Sequence, residues 1–135
     1  MIRLGRTDEG PAIKALVVAS GQMPEEFAAI LDWSSAGDCW IVDEGQSGRL
    51  RGAMQVCFGK PTARLENLST DPHLDGRTRA RVVRDLNEAA LALCKQLGAS
   101  AVRSFVTFKD KSIKKNMKRQ GWSVTGQGNV LLRVL

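Results

Sequence analysis

The residues whose types and spacing could do chemistry are concentrated in the segment "DPHLDGRTRARVVR", residues 71–84. Four arginines fall within eight residues, namely Arg77, Arg79, Arg81 and Arg84. The first N–H groups of a helix lack internal acceptors and its dipole is positive there, so anions bind such ends. Gly76 lets the backbone bend and approach a ligand, and the arginines reach phosphate oxygens. The segment predicts a pyrophosphate cradle; an exposed arginine-rich helix without a ligand is the alternative.

Charge is distributed unevenly along the chain. Residues 1–75 hold 7 Lys+Arg and 11 Asp+Glu, whereas residues 76–120 hold 12 Lys+Arg and 3 Asp+Glu. A block with a net charge of +9 indicates a polyanionic partner, which could be a nucleotide-type cofactor, nucleic acid or an acidic surface. A solvated basic helix face with no partner is the alternative.

The composition is that of a globular protein. At 135 residues, with 43% hydrophobic and 25% charged residues, the chain predicts one domain with its own core. No apolar run has the length of a membrane span, and the first ten residues lack the apolar region of a secretory signal. Cys39, Cys57 and Cys94 are an odd, widely spaced set, typical of reduced thiols in a cytoplasmic protein. No metal-ligand spacing is present.

Hydrophobic periodicity and turn residues predict the element order β α α β β β α β α β β. The predicted strands are 1–6, 39–44, 50–59, 63–70 and 101–108, with two more around a hairpin in 122–135, and the predicted helices are 11–20, 24–35, 79–98 and 111–121. Strands two to four suggest an antiparallel meander. The strand after the long helix can lie parallel to the strand before it.

This order and the loop "TDPHLDGRTRA" resemble the GNAT family of N-acetyltransferases, which bind acetyl-CoA. In that family a Val-x-Pro-like step precedes a glycine-containing loop that wraps the CoA pyrophosphate. Here the step matches Thr70-Asp71-Pro72, an inner loop glycine matches Gly76, and the final small residue matches Ala80. Two positions depart from the pattern. Asp75 stands where Arg or Gln is usual, and Thr78 where Gly is usual.

A second match lies in "DKSIKKNMKRQGW", residues 110–122. It keeps the ending Gly121-Trp122, with Asp110 where the family usually has Asn. Met117 stands where the family places the tyrosine that protonates the leaving thiolate. The chain contains no tyrosine, so Ser112 or a water molecule is the expected substitute.

The resemblance covers nearly the whole chain, extends to small phage-encoded members, and implies a single domain over 1–135. It implies an α/β (α+β) three-layer sandwich, with a mixed sheet of six or seven strands and helices on both faces. The expected activity is acetyl transfer from acetyl-CoA to a primary amine, directly within a ternary complex. A covalent route through Cys57 or Cys94 would need an activating partner, and none is evident.

Site residues follow from the same resemblance. The backbone at the end of the fourth strand is expected to hold the developing oxyanion and to pair with the pantetheine arm. The cofactor-binding positions are Leu68, Ser69, Thr70, Asp75, Gly76, Arg77, Thr78, Arg79, Ala80, Asp110 and Ser112. Glu66, the only acid in "ARLENLST", is the candidate base, with Asp43 and Glu44 weaker. Strand alternation puts Arg64, Glu66 and Leu68 on one face and Leu65, Asn67 and Ser69 on the other. Trp33 is the candidate residue for lining the site of the acceptor amine.

Two alternatives stay open at this point. One is a CoA-binding or regulatory module of the same fold without catalysis, favoured by Asp75, Thr78 and the missing tyrosine. The other is a nucleic-acid-binding protein that uses the basic block, although few aromatic residues are available there for base stacking. The acceptor is expected to be a small-molecule or protein amine, and the assembly a monomer or homodimer. No membrane partner is expected.

Overall fold

In the computed structural model, residues 1–34, 39–105, 111–126 and 128 are described. They fall into two compact units, Met1–Phe105 and Val106–Leu135. The first unit carries the sheet and three helices, and the second carries one basic helix. A single domain over the full chain stays a prediction.

Five strands and four helices follow one another in the described residues. They are β1 Ile2–Leu4, α1 Gly10–Ala19 after a short 3-10 turn, α2 Glu25–Ala28, β2 Trp40–Glu44, β3 Leu50–Cys57, β4 Thr62–Thr70, α3 Gly76–Gln96, β5 Ala101–Ser104 and α4 Lys111–Arg119. The sheet order is β1-β2-β3-β4-β5. The first four strands pair antiparallel, and β4 pairs with β5 in parallel. The mixed sheet, the meander and the parallel return after the long helix are as predicted.

The two main helices cover opposite faces of the sheet. Buried side chains of α1 cluster with residues of β2 and β3, among them Val42 and Ala53. On the other face, α3 buries Val82, Leu86, Ala90 and Cys94, a spacing of four residues that forms one helical stripe. Gly52 on β3 permits this approach, because a Cβ there would lie 2.5 Å from Val82 Cγ1 and 2.9 Å from Leu86 Cδ1. The predicted three-layer α+β class is therefore confirmed.

Several predicted elements are shorter than expected. The helix predicted over 24–35 is limited to Glu25–Ala28. The indole N–H of Trp33 donates to the Ala28 carbonyl at 2.8 Å, so a side chain occupies an acceptor that a further helical turn would have used. β5 ends at Ser104, and residues 106–108 of the predicted strand lie outside the described residues.

The two predicted C-terminal strands differ most from the structure. Residues 122–126 form neither helix nor strand, and most of the second predicted strand lies outside the described residues. The Trp122 N–H bonds back to the Met117 carbonyl at 3.1 Å, and Gly121 adopts φ 89. Trp122 therefore closes the C-terminus of α4 instead of starting a strand. The described sheet has five strands, against the six or seven predicted.

Candidate functional site

A β-bulge interrupts β4 at its centre. Ala53 pairs with Ser69 and Gln55 pairs with Glu66, so two residues of β4, Asn67 and Leu68, oppose one residue of β3. Asn67 has φ 51, the left-handed region that Asn tolerates better than most residues. The extra residue resets the side-chain alternation. Ser69 therefore shares the face of Glu66, and the prediction that places them on opposite faces is wrong.

Two side-chain hydrogen bonds hold the bulge. The amide of Asn67 donates from Nδ2 to Gln55 Oε1 at 2.9 Å. The hydroxyl of Ser69, which is only 1% exposed, donates to the Asn67 carbonyl at 3.0 Å. The conformation of the strand centre is thus determined by the chain's own groups.

The parallel ladder between β4 and β5 covers only the first part of β4. It runs from the pair Thr62–Ala101 to the pair Leu65–Ser104, where the Ser104 hydroxyl also donates to the Leu65 carbonyl at 3.0 Å. Residues 66–70 have no strand partner on that side among the described residues. Strand backbone groups without a ladder partner can pair with an extended ligand.

Glu66 lies at the point where this ladder ends. Its side chain is 33% exposed, and Oε1 is 3.6 Å from Arg64 Nε. The Cys57 thiol contacts Oε2 at a distance of 3.9 Å. Burial, followed by the charge of Glu66, raises the pKa of the Cys57 thiol. A thiol held protonated in this way is a poor nucleophile, whereas the carboxylate beside it is open to solvent.

The loop between β4 and α3 is fixed by its own polar groups. Asp71, which is buried, accepts from the His73 N–H at 3.0 Å and forms an ion pair with Arg49. The guanidinium of Arg79 donates to the carbonyls of Pro72 at 2.9 Å and Leu74 at 3.0 Å. Arg79 therefore braces the loop from the first turn of the helix.

Asp75 is the N-cap of α3. Its carboxylate accepts from the Thr78 N–H at 2.9 Å and from the Thr78 hydroxyl at 2.6 Å. These bonds lower the pKa of Asp75. The two residues that depart from the resembled loop are thus a matched pair that caps the helix. At Gly76, a Cβ would meet nothing within 4 Å, and the Arg77 side chain is exposed, so the helix start remains accessible.

The other predicted site residues occupy varied environments. Trp33 packs against the core with its ring centroid 5.9 Å from that of Trp40, and its indole N–H is already used. Asp43 is buried and pairs with Arg51 at 2.9 Å, and Glu44 pairs with Arg3 at 2.7 Å, so neither carboxylate is free to act as a base.

The remaining predicted positions are Leu68 and Thr70 on β4, Ala80 on α3, and Asp110 and Ser112 further along the chain. Ala80 is exposed and Leu68 and Thr70 are partly buried. Asp110 and the side chain of Ser112 fall outside the described residues. In the part of the chain that is described, no three potential ligand side chains form a metal site, and no helix has the length and apolarity of a membrane span.

A cavity of about 410 Å³ within the first unit has no signal in the sequence. It lies between the exposed alanines of α1 and the loops before β3 and after β4, where Arg49, Asp71 and His73 line it. Glu66 is not among its lining residues, so this cavity is separate from the open part of β4.

Solved structures with the same fold align with nearly the whole chain. The aminoglycoside N-acetyltransferase AAC(6')-Iy in complex with CoA has a TM-score of 0.73 at 16% identity, covering 98% of this chain and 93% of its own. The chain has the GNAT fold. Rv2747 from Mycobacterium tuberculosis, in complex with CoA and NLQ, matches with a TM-score of 0.72 at 20% identity, over 97% of this chain and 76% of that one.

A third example is glucosamine-6-phosphate N-acetyltransferase from Arabidopsis thaliana, with a TM-score of 0.65 at 17% identity, over 98% of this chain and 97% of that one. No protein-family model and no curated protein matches the chain by sequence. The likeness is thus one of fold. Within the GNAT fold, the individual site residues and the phage-like character stay predictions.

Proposed function

We propose that this chain is an acetyl-CoA-dependent N-acetyltransferase that moves an acetyl group directly to a primary amine. The observation that carries the proposal is the coincidence of three features on β4. The bulge at Asn67 and Leu68, the end of the β4–β5 ladder and the accessible carboxylate of Glu66 lie within a few residues of one another. Solved proteins of the same fold include N-acetyltransferases and complexes with CoA.

The described residues fit the cofactor. The open space above Gly76 and the exposed Arg77 suit a pyrophosphate at the start of α3, and Arg79 holds the loop that would face it. Backbone groups of residues 66–70 suit the amide-containing pantetheine arm, because an extended chain can pair with a free strand segment. When bound, acetyl-CoA supplies the activated thioester.

The chain's own residues then act on the bound thioester and on the incoming amine. A backbone N–H of Leu68, Ser69 or Thr70 donates to the thioester carbonyl oxygen as negative charge develops there. Glu66 accepts the proton of the incoming amine, directly or through a water molecule. The raised pKa of Cys57 argues against an acyl-thiol route, so the amine attacks the acetyl group directly. The chain contains no tyrosine, so we assign proton donation to the leaving thiolate to water.

One observation favours a second candidate, a CoA-binding module without catalysis. Asp75 places a carboxylate on the Thr78 N–H, where a phosphate would otherwise find a free donor. The absence of tyrosine removes the proton donor usual in proteins that this chain resembles. This candidate retains CoA binding and predicts no amine-dependent turnover.

Thermal melting with acetyl-CoA and with CoA tests both candidates. A ligand at about 100 times its Kd adds roughly 2.7 kcal/mol to the free energy of unfolding. For a domain of this size that is a rise in Tm of roughly 10 °C. Amine-dependent release of CoA thiol, followed with a panel of primary amines, then separates enzyme from binding module. No rise at millimolar ligand would overturn both and direct attention to salt-dependent nucleic-acid binding by the basic block.

A further inference from the structure

Two arginines lie side by side at paired positions of β4 and β5. Arg64 on β4 and Arg103 on β5 are register partners in the parallel ladder. Paired positions on neighbouring strands project to the same face, with their strands about 4.8 Å apart. Both side chains are exposed. Glu66 follows Arg64 by two residues, before the bulge, and therefore projects to this face as well.

The charges in this cluster do not balance. Like charges at directly opposed positions of a sheet repel each other. Glu66 faces Arg64 at 3.6 Å, but Arg103 has no hydrogen bond or ion pair among the described residues. Cys57, the register partner of Arg64 on β3, is held as a neutral thiol. Of the two guanidinium groups, only that of Arg64 faces a carboxylate, and a second anion would complete the set.

We propose that the acceptor amine carries an anionic group, a carboxylate or a phosphate, that binds Arg103 and Arg64 while the amine faces Glu66. This substrate class rests on the proposed acetyl transfer. Guanidinium groups bind both anions through paired N–H donors. Glu66 then meets the ammonium end of the same molecule. Arg64 and Arg103 lie on strands about 4.8 Å apart, and Glu66 lies about 6.8 Å further along β4 than Arg64. These distances suit the short separation between the ammonium and the anionic group of an amino acid or an aminoalkyl phosphate.

The reaction on such a substrate is balanced. The amine nitrogen, once Glu66 has taken its proton, forms a bond to the acetyl carbonyl carbon. The C–S bond of the thioester breaks and its electron pair goes to sulfur, which leaves as CoA thiolate. The nitrogen loses its second proton, which passes through water to the thiolate, and Glu66 returns the first proton to solvent. The product keeps its anionic group and has lost its ammonium charge. Glu66 therefore attracts the substrate and not the product, which favours product release.

Matched substrates give the first test. Beta-alanine is compared with its amide, and phosphoethanolamine with ethanolamine, in amine-dependent CoA release. We expect kcat/KM to be at least about tenfold higher for the charged member of one pair, because a charge-assisted contact is lost in the neutral member. The pair that shows the difference identifies carboxylate or phosphate. Equal or faster acetylation of both neutral members would overturn the substrate class and leave acetyl transfer standing.

Variants give the second test. Arg103→Gln should raise KM for the charged substrate about tenfold, with kcat and the neutral amine unchanged, and Arg103→Lys should restore part of the loss. Lys95→Gln, which removes one exposed charge at the far end of α3, should change neither.

A binding experiment does not depend on turnover. Titration of the CoA-loaded protein with N-acetyl-beta-alanine and with N-acetyl phosphoethanolamine should show binding of at least one that weakens about tenfold in Arg103→Gln. Absence of binding, or equal binding to both proteins, would contradict the anion site. A rise in Tm with acetyl-CoA but no turnover on any amine would instead remove the proposed transferase activity.

Discussion

The hydroxyl of Ser69 donates a hydrogen bond to the carbonyl oxygen of Asn67, 3.0 Å away, within the bulge of β4. Ser69 is buried, and Asn67 adopts φ 51 while its side chain binds Gln55. A backbone acceptor of the bulge is therefore satisfied inside the protein. The bulge is thus held by the chain's own hydrogen bonds where residues 66–70 leave the ladder with β5, and the proposed oxyanion donor requires such a preorganised backbone.

Substitution of Asn67 separates its two roles. Asn67→Ala removes the bond to Gln55 and puts a residue that tolerates positive φ less well than Asn at this position, so we expect the free energy of unfolding to fall by about 2 kcal/mol. Asn67→Gly loses the same bond but tolerates the backbone conformation, so the fall should be smaller, about 1 kcal/mol. Urea unfolding of both variants measures the difference. Equal losses would mean that the positive φ is not a constraint.

The bulge could not be predicted from the sequence. "ARLENLST" has the composition and alternation of an ordinary strand, and a strand without a bulge would place Ser69 opposite to Glu66. The position of the bulge depends on how β4 pairs with β3. The alternation of apolar and polar residues in β3 does not indicate where that pairing shifts. The strand itself, the long helix and the parallel β5 were predictable because each carries a local signal: apolar periodicity, and turn residues at the ends.

Replacement of Glu66 by glutamine tests the proposed base. Glu66→Gln keeps the size of the side chain and removes its capacity to take a proton, so kcat should fall by about 10²–10⁴-fold. The rise in Tm caused by acetyl-CoA should be unchanged, because the protein groups proposed to bind the cofactor are in the loop before α3 and in the backbone of β4. Glu88→Gln on α3, which removes an equivalent exposed carboxylate, is the control. Unaltered turnover in Glu66→Gln would show that another group or water takes the proton.

Removal of the charge on Asp75 should strengthen cofactor binding. Asn caps a helix about as well as Asp, so Asp75→Asn keeps α3 intact while one negative charge leaves the phosphate-binding end. We expect the Kd for CoA to fall by about two- to fivefold at low ionic strength and the gain to shrink with added salt. Asp85→Asn, which removes the same charge nearly three turns further into α3, should have a smaller effect. An unchanged or higher Kd would place the phosphates away from the start of α3.

Asp75 and Thr78 also show what the sequence could have revealed. An Asp followed three residues later by Thr at the start of an apolar periodic run is an N-cap signal. Compared with the loop pattern of the GNAT family, the same two residues look like two unrelated departures, the loss of an Arg or Gln at Asp75 and the loss of a Gly at Thr78. The structure shows that they form one cap, because the N–H and the hydroxyl of Thr78 both donate to the Asp75 carboxylate. Arg103 could not be placed beside Arg64 either, because 38 residues and a helix separate them and the register of parallel strands has no sequence signal.

Acid should destabilise the fold through Glu9. Arg3 donates to the Glu9 carboxylate from Nη2 at 2.6 Å and from Nη1 at 2.9 Å, and Arg3 also pairs with Glu44. The Arg3 hydrogen bonds lower the pKa of Glu9 from its ordinary 4.5 to about 2. A carboxyl whose pKa is lower in the folded state stabilises the protein above the unfolded value and loses that contribution as pH falls. The loss should therefore occur between about pH 4.5 and pH 2.

Urea unfolding at pH 6, 4, 3 and 2 measures this dependence. We expect Glu9 to account for a fall of about 1 kcal/mol across the window, once solvent screening of a pair near the surface is allowed for. Glu9→Gln should lower stability at pH 6 and flatten the curve below pH 4.5, since no proton is then taken up at this site on unfolding. Glu26→Gln, a change at an exposed residue of α2, should leave the curve as it is. A Glu9→Gln curve as steep as that of the parent would show that the acid sensitivity does not come from Glu9.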